Sequence, residues 1–269
     1  MIETNKFSKL KKKYTKLTDN QWSSISTFFD LDRKRKLCLR GVLDSILWVL
    51  RTGIQWRNIP EKHGAWDAIY YYFDKWKSDG TFEKVNLYLN TLDRKRVGRL
   101  ATPSLLCVDS QSVKLAPMIF EDRGLDGGKL VNGRKRQILV DVEGRLYSCH
   151  VHAANLSDAH GGQRCLNDLS SIDERLEKIL GDTSYNGIFA DSVKEKGFIF
   201  EKSVRLGTPE NKEKSPKIFV PEPKRWVVER TFAWTNFFRR IVKDYEHTVT
   251  SSATWFILVN ITLMLQRIK

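Results

Sequence analysis

The spacing of apolar residues changes once along this chain, and that change limits its possible folds more than any other feature. Before residue 93 apolar side chains return every three or four positions; after residue 104 they come in short runs, two of which end in aspartate. The first spacing is that of helices, the second that of strands. Thr18 is placed to cap a short helix carrying Trp22, Ile25, Phe28 and Phe29. Leu39, Val42, Leu43, Ile46, Leu47 and Leu50 line one side of a longer helix that Gly53 closes. Trp66, Ile69, Tyr70, Phe73 and Trp76 line a third, and Phe82, Val85, Leu87 and Leu89 belong to a fourth. Beyond the switch, residues 105–109, 137–142, 146–151, 178–182 and 198–200 read as strands, with Glu143-Gly144-Arg145 as a hairpin turn. Residues 158–170, 187–196, 223–240 and 251–268 read as helices.

This order gives a plan in four parts: a basic arm (1–16), a small all-helical domain (17–95), a linker (96–104) and an α/β domain (105–269) with a mixed sheet flanked by helices. Helix, loop, helix beside basic residues suits a helix-turn-helix DNA reader; a plain helical bundle has the same periodicity.

Charge points to the partner. The chain carries a formal net charge of +14, and residues 1–100 hold 21 Lys and Arg against 11 Asp and Glu, leaving a near-balanced 25 against 21 in the remainder. A front so basic favours a polyanion, because each neutralised phosphate releases a condensed counterion. The four cysteines (Cys38, Cys107, Cys149, Cys165) lack C-x-x-C spacing, which excludes the zinc-finger pattern and fits a reducing cytoplasm. Residues 247–266 carry no formal charge but hold Thr, Ser, Asn and Gln throughout, so a core helix is expected there and no membrane span.

Asp109 and Asp182 each end a strand, the edge where ligands of open α/β sheets collect. Carboxylates meeting there can hold Mg²⁺, a hard ion that takes oxygen ligands and keeps several waters. Aspartate at a strand end also serves as a turn cap. Glu229 sits in Lys224-Arg225-Trp226-Val227-Val228-Glu229-Arg230; on one long helix Arg225, Glu229, Asn236 and Arg240 form a stripe, arginines for phosphate beside a carboxylate for metal, or a surface ion pair. Residues 124–136, rich in glycine and ending Gly133-Arg134-Lys135-Arg136, read as a loop able to grip a DNA backbone or simply to lie in solvent; the P-loop template is not met. His150 and His152 share a strand face without metal-site spacing and are read as structural.

These blocks together resemble the DDE transposases of bacterial insertion sequences, of the insertion-sequence-five type, over nearly the whole chain. The resemblance runs through Leu17-Thr18-Asp19-Asn20-Gln21-Trp22, residues 49–60 (Val-Leu-Arg-Thr-Gly-Ile-Gln-Trp-Arg-Asn-Ile-Pro) and Asp79-Gly80-Thr81-Phe82 in the helical part. It continues through Val108-Asp109-Ser110-Gln111-Ser112, residues 133–141, Gly181-Asp182-Thr183-Ser184-Tyr185 and Arg225-Trp226-Val227-Val228-Glu229-Arg230. It implies a ribonuclease-H-like catalytic fold in which Asp109, Asp182 and Glu229 bind two Mg²⁺ ions, with Mn²⁺ able to substitute, for in-line phosphoryl transfer. It further implies double-stranded DNA as partner (terminal inverted repeats and target), a homodimer on that DNA, and a bacterial cytoplasmic, nucleoid-associated protein. Arg51, Gln55, Trp56 and Arg57 in the helical part, and Arg134, Lys135, Arg136, Arg225, Arg230, Arg239 and Arg240 in the second part, are the expected DNA contacts. The wider signature around the glutamate has Tyr and Lys where this chain has Glu222 and Asn236, so those two roles do not carry over; Arg239 or Arg240 is placed to supply the charge. Two other readings follow from the same residues: a DNA-binding regulator with a silent catalytic domain, and a nuclease that cuts without joining.

Overall fold

The computed structural model describes residues 14–171, 173–202 and 226–268. The chain forms two compact units, Met1–Ala101 with Thr235–Lys269, and Thr102–Trp234. The expected basic arm (1–16) lies almost entirely outside the described residues.

The first unit is all helix. Helix α1 (Asp19–Ile25) starts at a capping box: the Thr18 hydroxyl accepts from the Gln21 N–H at 3.2 Å, and the Gln21 side chain accepts from the Thr18 N–H at 2.9 Å. Helix α2 (Leu39–Thr52) buries the six residues its periodicity marked and stops at Gly53, whose φ of 72° is the left-handed conformation a glycine closes a helix with. Helices α3 (Trp66–Ser78) and α4 (Thr81–Arg96) follow. In α3 the stripe is only half core: Ile69, Phe73 and Trp76 are buried, whereas Trp66 and Tyr70 are exposed.

The last residues of the chain, Thr235–Lys269, group with this unit, whereas 226–234 stay with the second. One helix over 223–240 is expected; the structure instead has α7 (Trp226–Thr235) and a short α8 (Arg239–Val242). The break has a local cause. Phe238 turns inward to 1% exposure, its N–H bonds back to the Thr235 carbonyl at 2.9 Å, and the Phe237 carbonyl accepts from Arg51 Nη1 at 2.6 Å. Helix α9 (Val249–Leu265) is buried nearly all round, as the central helix of a bundle is. Its polar residues are partnered: Asn260 Nδ2 donates to Asn86 Oδ1 at 2.6 Å and Asn90 Oδ1 at 2.9 Å on α4. That satisfies the expectation of a core helix, and among the described residues no helix is long and apolar enough to cross a membrane.

The second unit is a six-stranded mixed sheet with helices, the mixed α/β class expected from the sequence. Its strands are β1 (Leu105–Lys114), β2 (Gly124–Asp126), β3 (Val131–Asp141), β4 (Leu146–Ala153), β5 (Lys178–Gly181) and β6 (Ile199–Lys202). β3 lies antiparallel to β1 and to β4, with β2 beside its first residues, while β5 and β6 run parallel to β1. Helices α5 (Asp158–Cys165) and α6 (Ile188–Glu195) lie between the later strands in sequence, as parallel crossovers require.

The glycine-rich stretch is not a loop. Residues 124–136 form a β2–β3 hairpin whose turn is tied by Asp126, accepting from the N–H groups of Gly128 at 3.0 Å and Lys129 at 3.1 Å. At the other hairpin Gly144 takes φ 81° in the expected turn, and Asp141 binds the turn from inside. Its carboxylate accepts from the Glu143 and Arg145 N–H groups at 2.9 and 3.1 Å and from Arg145 Nη1 at 2.9 Å, with both side chains at 0% exposure.

Candidate active site

β1 and β5 are parallel neighbours in register, Cys107 opposite Leu180 being the last matched pair. Asp109 and Asp182 each stand two residues further on. Side chains alternate along extended backbone, so both return to the face that Cys107 and Leu180 share, on strands spaced about 4.8 Å apart. Asp182 keeps extended backbone (φ −82°, ψ −177°), and Gly181 approaches Val108 so closely that a Cβ there would sit 2.8 Å from its Cγ1. The two strands therefore stay together up to the aspartates. Both carboxylates are half-buried.

Each aspartate also does the turn work its type allows. Asp109 accepts from the Ser110 N–H at 2.7 Å; Asp182 caps the 3₁₀ turn Thr183–Tyr185, accepting from the Ser184 N–H at 2.8 Å and from the Ser184 hydroxyl. These bonds fix the direction of each carboxylate. Tyr185 reports on the neighbourhood: burial first, then the negative charges of Asp109, Asp158 and Asp182, hold its phenol well above the usual tyrosine range. A pair of hard oxygen donors on one face of adjacent strands fits a hard dication, since Mg²⁺ takes one or two carboxylates and completes its shell with water and phosphate.

Glu229 is in the same unit but is not gathered to that pair. Among the described residues no group of three or more His, Cys, Asp or Glu side chains is arranged to hold a metal ion. The reason lies in α7, which buries Val227, Val228, Thr231, Phe232 and Trp234. Glu229 and Ala233, four residues apart, fall on the opposite, exposed side.

The expected DNA contacts divide sharply. Gln55, Arg57 and Arg239 are exposed. Gln55, Trp56, Arg57, Trp66 and Tyr70 line a pocket of about 240 Å³, with the Arg57 guanidinium 5.5 Å from the Trp66 ring centre. Others point inward, contrary to the solvated reading. Arg134 is 0% exposed and donates from Nε and Nη2 to the Glu121 carbonyl at 3.1 and 2.8 Å. Lys135 donates to the Leu156 carbonyl at 3.0 Å and pairs with Asp158 at 3.1 Å, and Arg136 is 2% exposed. They occupy the central strand, where a side chain can satisfy an internal acceptor or reach a phosphate but not both. Arg51 is held by the Phe237 carbonyl, and burial lowers its guanidinium below the usual range. Arg240 pairs with Glu246, Nε to Oε1 at 2.8 Å, because the end of α7 at Thr235 removes it from the expected stripe. Arg230 lies between the rings of Trp226 (4.2 Å) and Trp234 (4.6 Å), a cation–π sandwich. Arg225, with Glu222, lies outside the described residues.

Sequence reasoning passed over Ser110, Gln137, Asp158 and Tyr185. Asp158 accepts from Ser110 Oγ at 2.7 Å and Gln137 Nε2 at 3.3 Å, and Gln137 Oε1 accepts from the Tyr185 hydroxyl at 2.5 Å. The signal that could have found them is Gly161-Gly162 inside a helix, where each glycine costs about 1 kcal/mol relative to alanine and needs a reason. The reason is close approach: a Cβ on Gly161 would lie 2.1 Å from His152 Nε2 and 2.8 Å from Gln137 Nε2, and one on Gly162 2.9 Å from both the Tyr185 and Phe189 rings. Gly161→Ala is expected to lower stability by about 1–3 kcal/mol despite its better helix propensity, read as a drop in urea midpoint. A gain in midpoint would show that α5 is not pressed against β3.

A family of transposases of the IS4/5 type matches residues 17–86, and the family described as the transposase DDE domain matches residues 100–265. An uncharacterized protein of Sinorhizobium fredii, y4sN, is 28% identical over 118 residues, which span 42% of this chain and 88% of that one. A crystal structure of the Mos1 mariner paired end complex with Mn aligns over 89% of this chain and 80% of its own at 10% identity, with a TM-score of 0.26.

Proposed function

This chain belongs to the DDE transposase family, and from that premise we propose that it binds the terminal inverted repeats of its own insertion sequence, cuts them, and joins them to target DNA with Asp109, Asp182 and Glu229 as its acidic triad. The observation that supports the reading is that Asp109 and Asp182 each stand two residues past the last matched pair of two adjacent parallel strands, on the same face. Asp109 and Asp182 would hold divalent cations, Mg²⁺ or in its place Mn²⁺, and Glu229, which stands apart from that pair in this structure, would complete the set only in the complex with DNA. Bound there, two such ions supply activation of the attacking oxygen and neutralisation of the charge on the leaving one.

The chain's own residues do the rest. Each aspartate keeps one oxygen tied to a backbone N–H, so the carboxylates meet their ligand in a fixed direction and little order is lost on binding. Gln55, Arg57 and Arg239, exposed and carrying donors, contact DNA, and the basic N-terminal hundred residues give attraction that does not depend on sequence. The first cut frees a 3′-OH at the end of the element, and that hydroxyl attacks target DNA in line, without a covalent protein intermediate. Two ends must be handled together, which makes a homodimer on DNA the working assembly. A bacterial cytoplasmic, nucleoid-associated protein suits that partner.

The test uses the DNA flanking the coding region. Incubated with the protein and Mg²⁺ or Mn²⁺, it should acquire nicks at the outer edge of matching inverted repeats, and the ends so released should join to an added plasmid. Binding without nicks in either metal would contradict the proposal; nicks without joining would leave a nuclease in its place.

A further inference from the structure

We propose that Tyr185, Gln137 and Asp158 are positioning residues, forming a polar brace that fixes the distance between Asp109 and Asp182 from the back of the sheet. The inference rests on those two aspartates being the metal-binding pair.

Pleating separates the two jobs. In the β1–β3 register Ser110 is opposite Gln137 and Ser112 opposite Lys135, so these four share one face, while Asp109, one residue on, belongs to the other. On the Ser110 face the hydrogen bonds run without a gap. The Tyr185 hydroxyl donates to Gln137 Oε1 (2.5 Å), the Gln137 amide donates to Asp158 Oδ1 (3.3 Å), and the same oxygen accepts from Ser110 Oγ (2.7 Å). Lys135 Nζ, 3.1 Å away, balances the charge. Burial by itself would raise the Asp158 carboxyl, but the bonds from Ser110, Lys135 and Gln137 hold it below the usual range, so the brace contains a carboxylate and not an acid.

The ends of this chain of bonds give it its meaning. Ser110 directly follows Asp109, and Tyr185 ends the 3₁₀ turn that Asp182 caps. β1 and β5 are matched only as far as Cys107 and Leu180, so the ladder itself stops before the aspartates. Past that point the brace ties β1 to the turn that follows β5, through β3 and the start of α5. Tyr185 and Gln137 are both 0% exposed, and the approach of α5 that closes the network is the one that Gly161 and Gly162 permit. A divalent ion shared by two carboxylates is sensitive to their separation, and loss of an outer partner typically lowers metal affinity about 10–100-fold.

The experiment compares wild type, Asp109→Asn, Tyr185→Phe and Gln137→Met as full chains, each shown to be folded by its thermal transition. Mn²⁺ binding is followed by electron paramagnetic resonance of the free ion, and cleavage of an inverted-repeat duplex is followed against Mn²⁺ concentration. Tyr185→Phe, which keeps the ring and removes only the hydroxyl, is expected to weaken Mn²⁺ binding about tenfold or more. Its KM for DNA should stay within twofold, and its cleavage rate should recover at high Mn²⁺, a split that general loss of stability would not produce. Gln137→Met, which breaks both links, should do the same if Tyr185→Phe folds poorly. If Asp109→Asn loses Mn²⁺ while Tyr185→Phe and Gln137→Met bind it within twofold of wild type, the brace is overturned and the aspartate site stands. If Asp109→Asn binds Mn²⁺ as wild type does, the site itself is wrong and the brace falls with it.

Discussion

Asp182→Asn should lose cleavage of element ends by at least about a thousandfold, with DNA affinity changed less than twofold. The substitution isolates charge from structure. Asparagine caps turns as well as aspartate does, so its side-chain oxygen still accepts from the Ser184 N–H and the 3₁₀ turn Thr183–Tyr185 keeps its start. What disappears is one negative charge and one anionic oxygen at the end of β5. An amide binds hard dications far less well than a carboxylate, and the loss falls on the chemical step because the proposed DNA contacts, Gln55, Arg57 and Arg239, are other residues. The measurement is a single-turnover rate on an inverted-repeat duplex beside a gel-shift titration at the same salt. A rate within tenfold of wild type would remove Asp182 from the chemistry and leave it the turn cap it also is.

The largest expected loss of stability comes from Asp141→Ala. Its carboxylate and the Arg145 guanidinium are both fully buried, and removing the carboxylate of such a pair from the interior costs about 3–5 kcal/mol. The β3–β4 turn loses two backbone acceptor contacts as well. Against a typical domain stability of about 5–15 kcal/mol, that is a large fraction. A double variant, Asp141→Leu with Arg145→Met, should regain the ion-pair part of the loss but not the turn part, because a buried pair replaced whole by apolar groups of similar volume costs little. Urea unfolding of the two singles and the double gives the coupling directly. A loss below about 1 kcal/mol for Asp141→Ala would mean that water or another group reaches Arg145.

Much of the architecture was readable because its signals are local. The cap at Thr18, the stop at Gly53 and the turn at Gly144 are set by one or two residues each, and the structure has all three where the sequence placed them. The switch of hydrophobic period likewise put Asp182 directly after its strand, whereas β1 runs on past Asp109 to Lys114 because residues 110–114 pair with β3, a partner the short apolar run does not announce.

What was misread depends on partners distant in sequence. Arg134, Lys135 and Arg136 look solvated in a glycine-rich stretch; that Arg134 and Lys135 are core follows only from acceptors supplied by Glu121, Leu156 and Asp158. The end of α7 at Thr235 is set by Phe238 turning inward and by Arg51 taking the Phe237 carbonyl, neither visible in helical periodicity. Periodicity did put Glu229 on a helix, but which side of that helix is buried is decided by the rest of the unit, and Val227, Val228 and Phe232 take the buried side while Glu229 is exposed. Ser110, Gln137 and Asp158 carry no recognisable spacing because three different elements contribute them.

Iron-mediated self-cleavage asks where a cation sits. Fe²⁺ binds carboxylate sites more tightly than Mn²⁺ does, and with ascorbate and peroxide it breaks nearby backbone. Loaded in this way together with an inverted-repeat duplex, the full chain should break beside Asp109, Asp182 and Glu229, and excess Mg²⁺ should suppress all three cuts together. Breaks beside only one of these residues, or at unrelated positions, would mean that the acidic side chains share no ion.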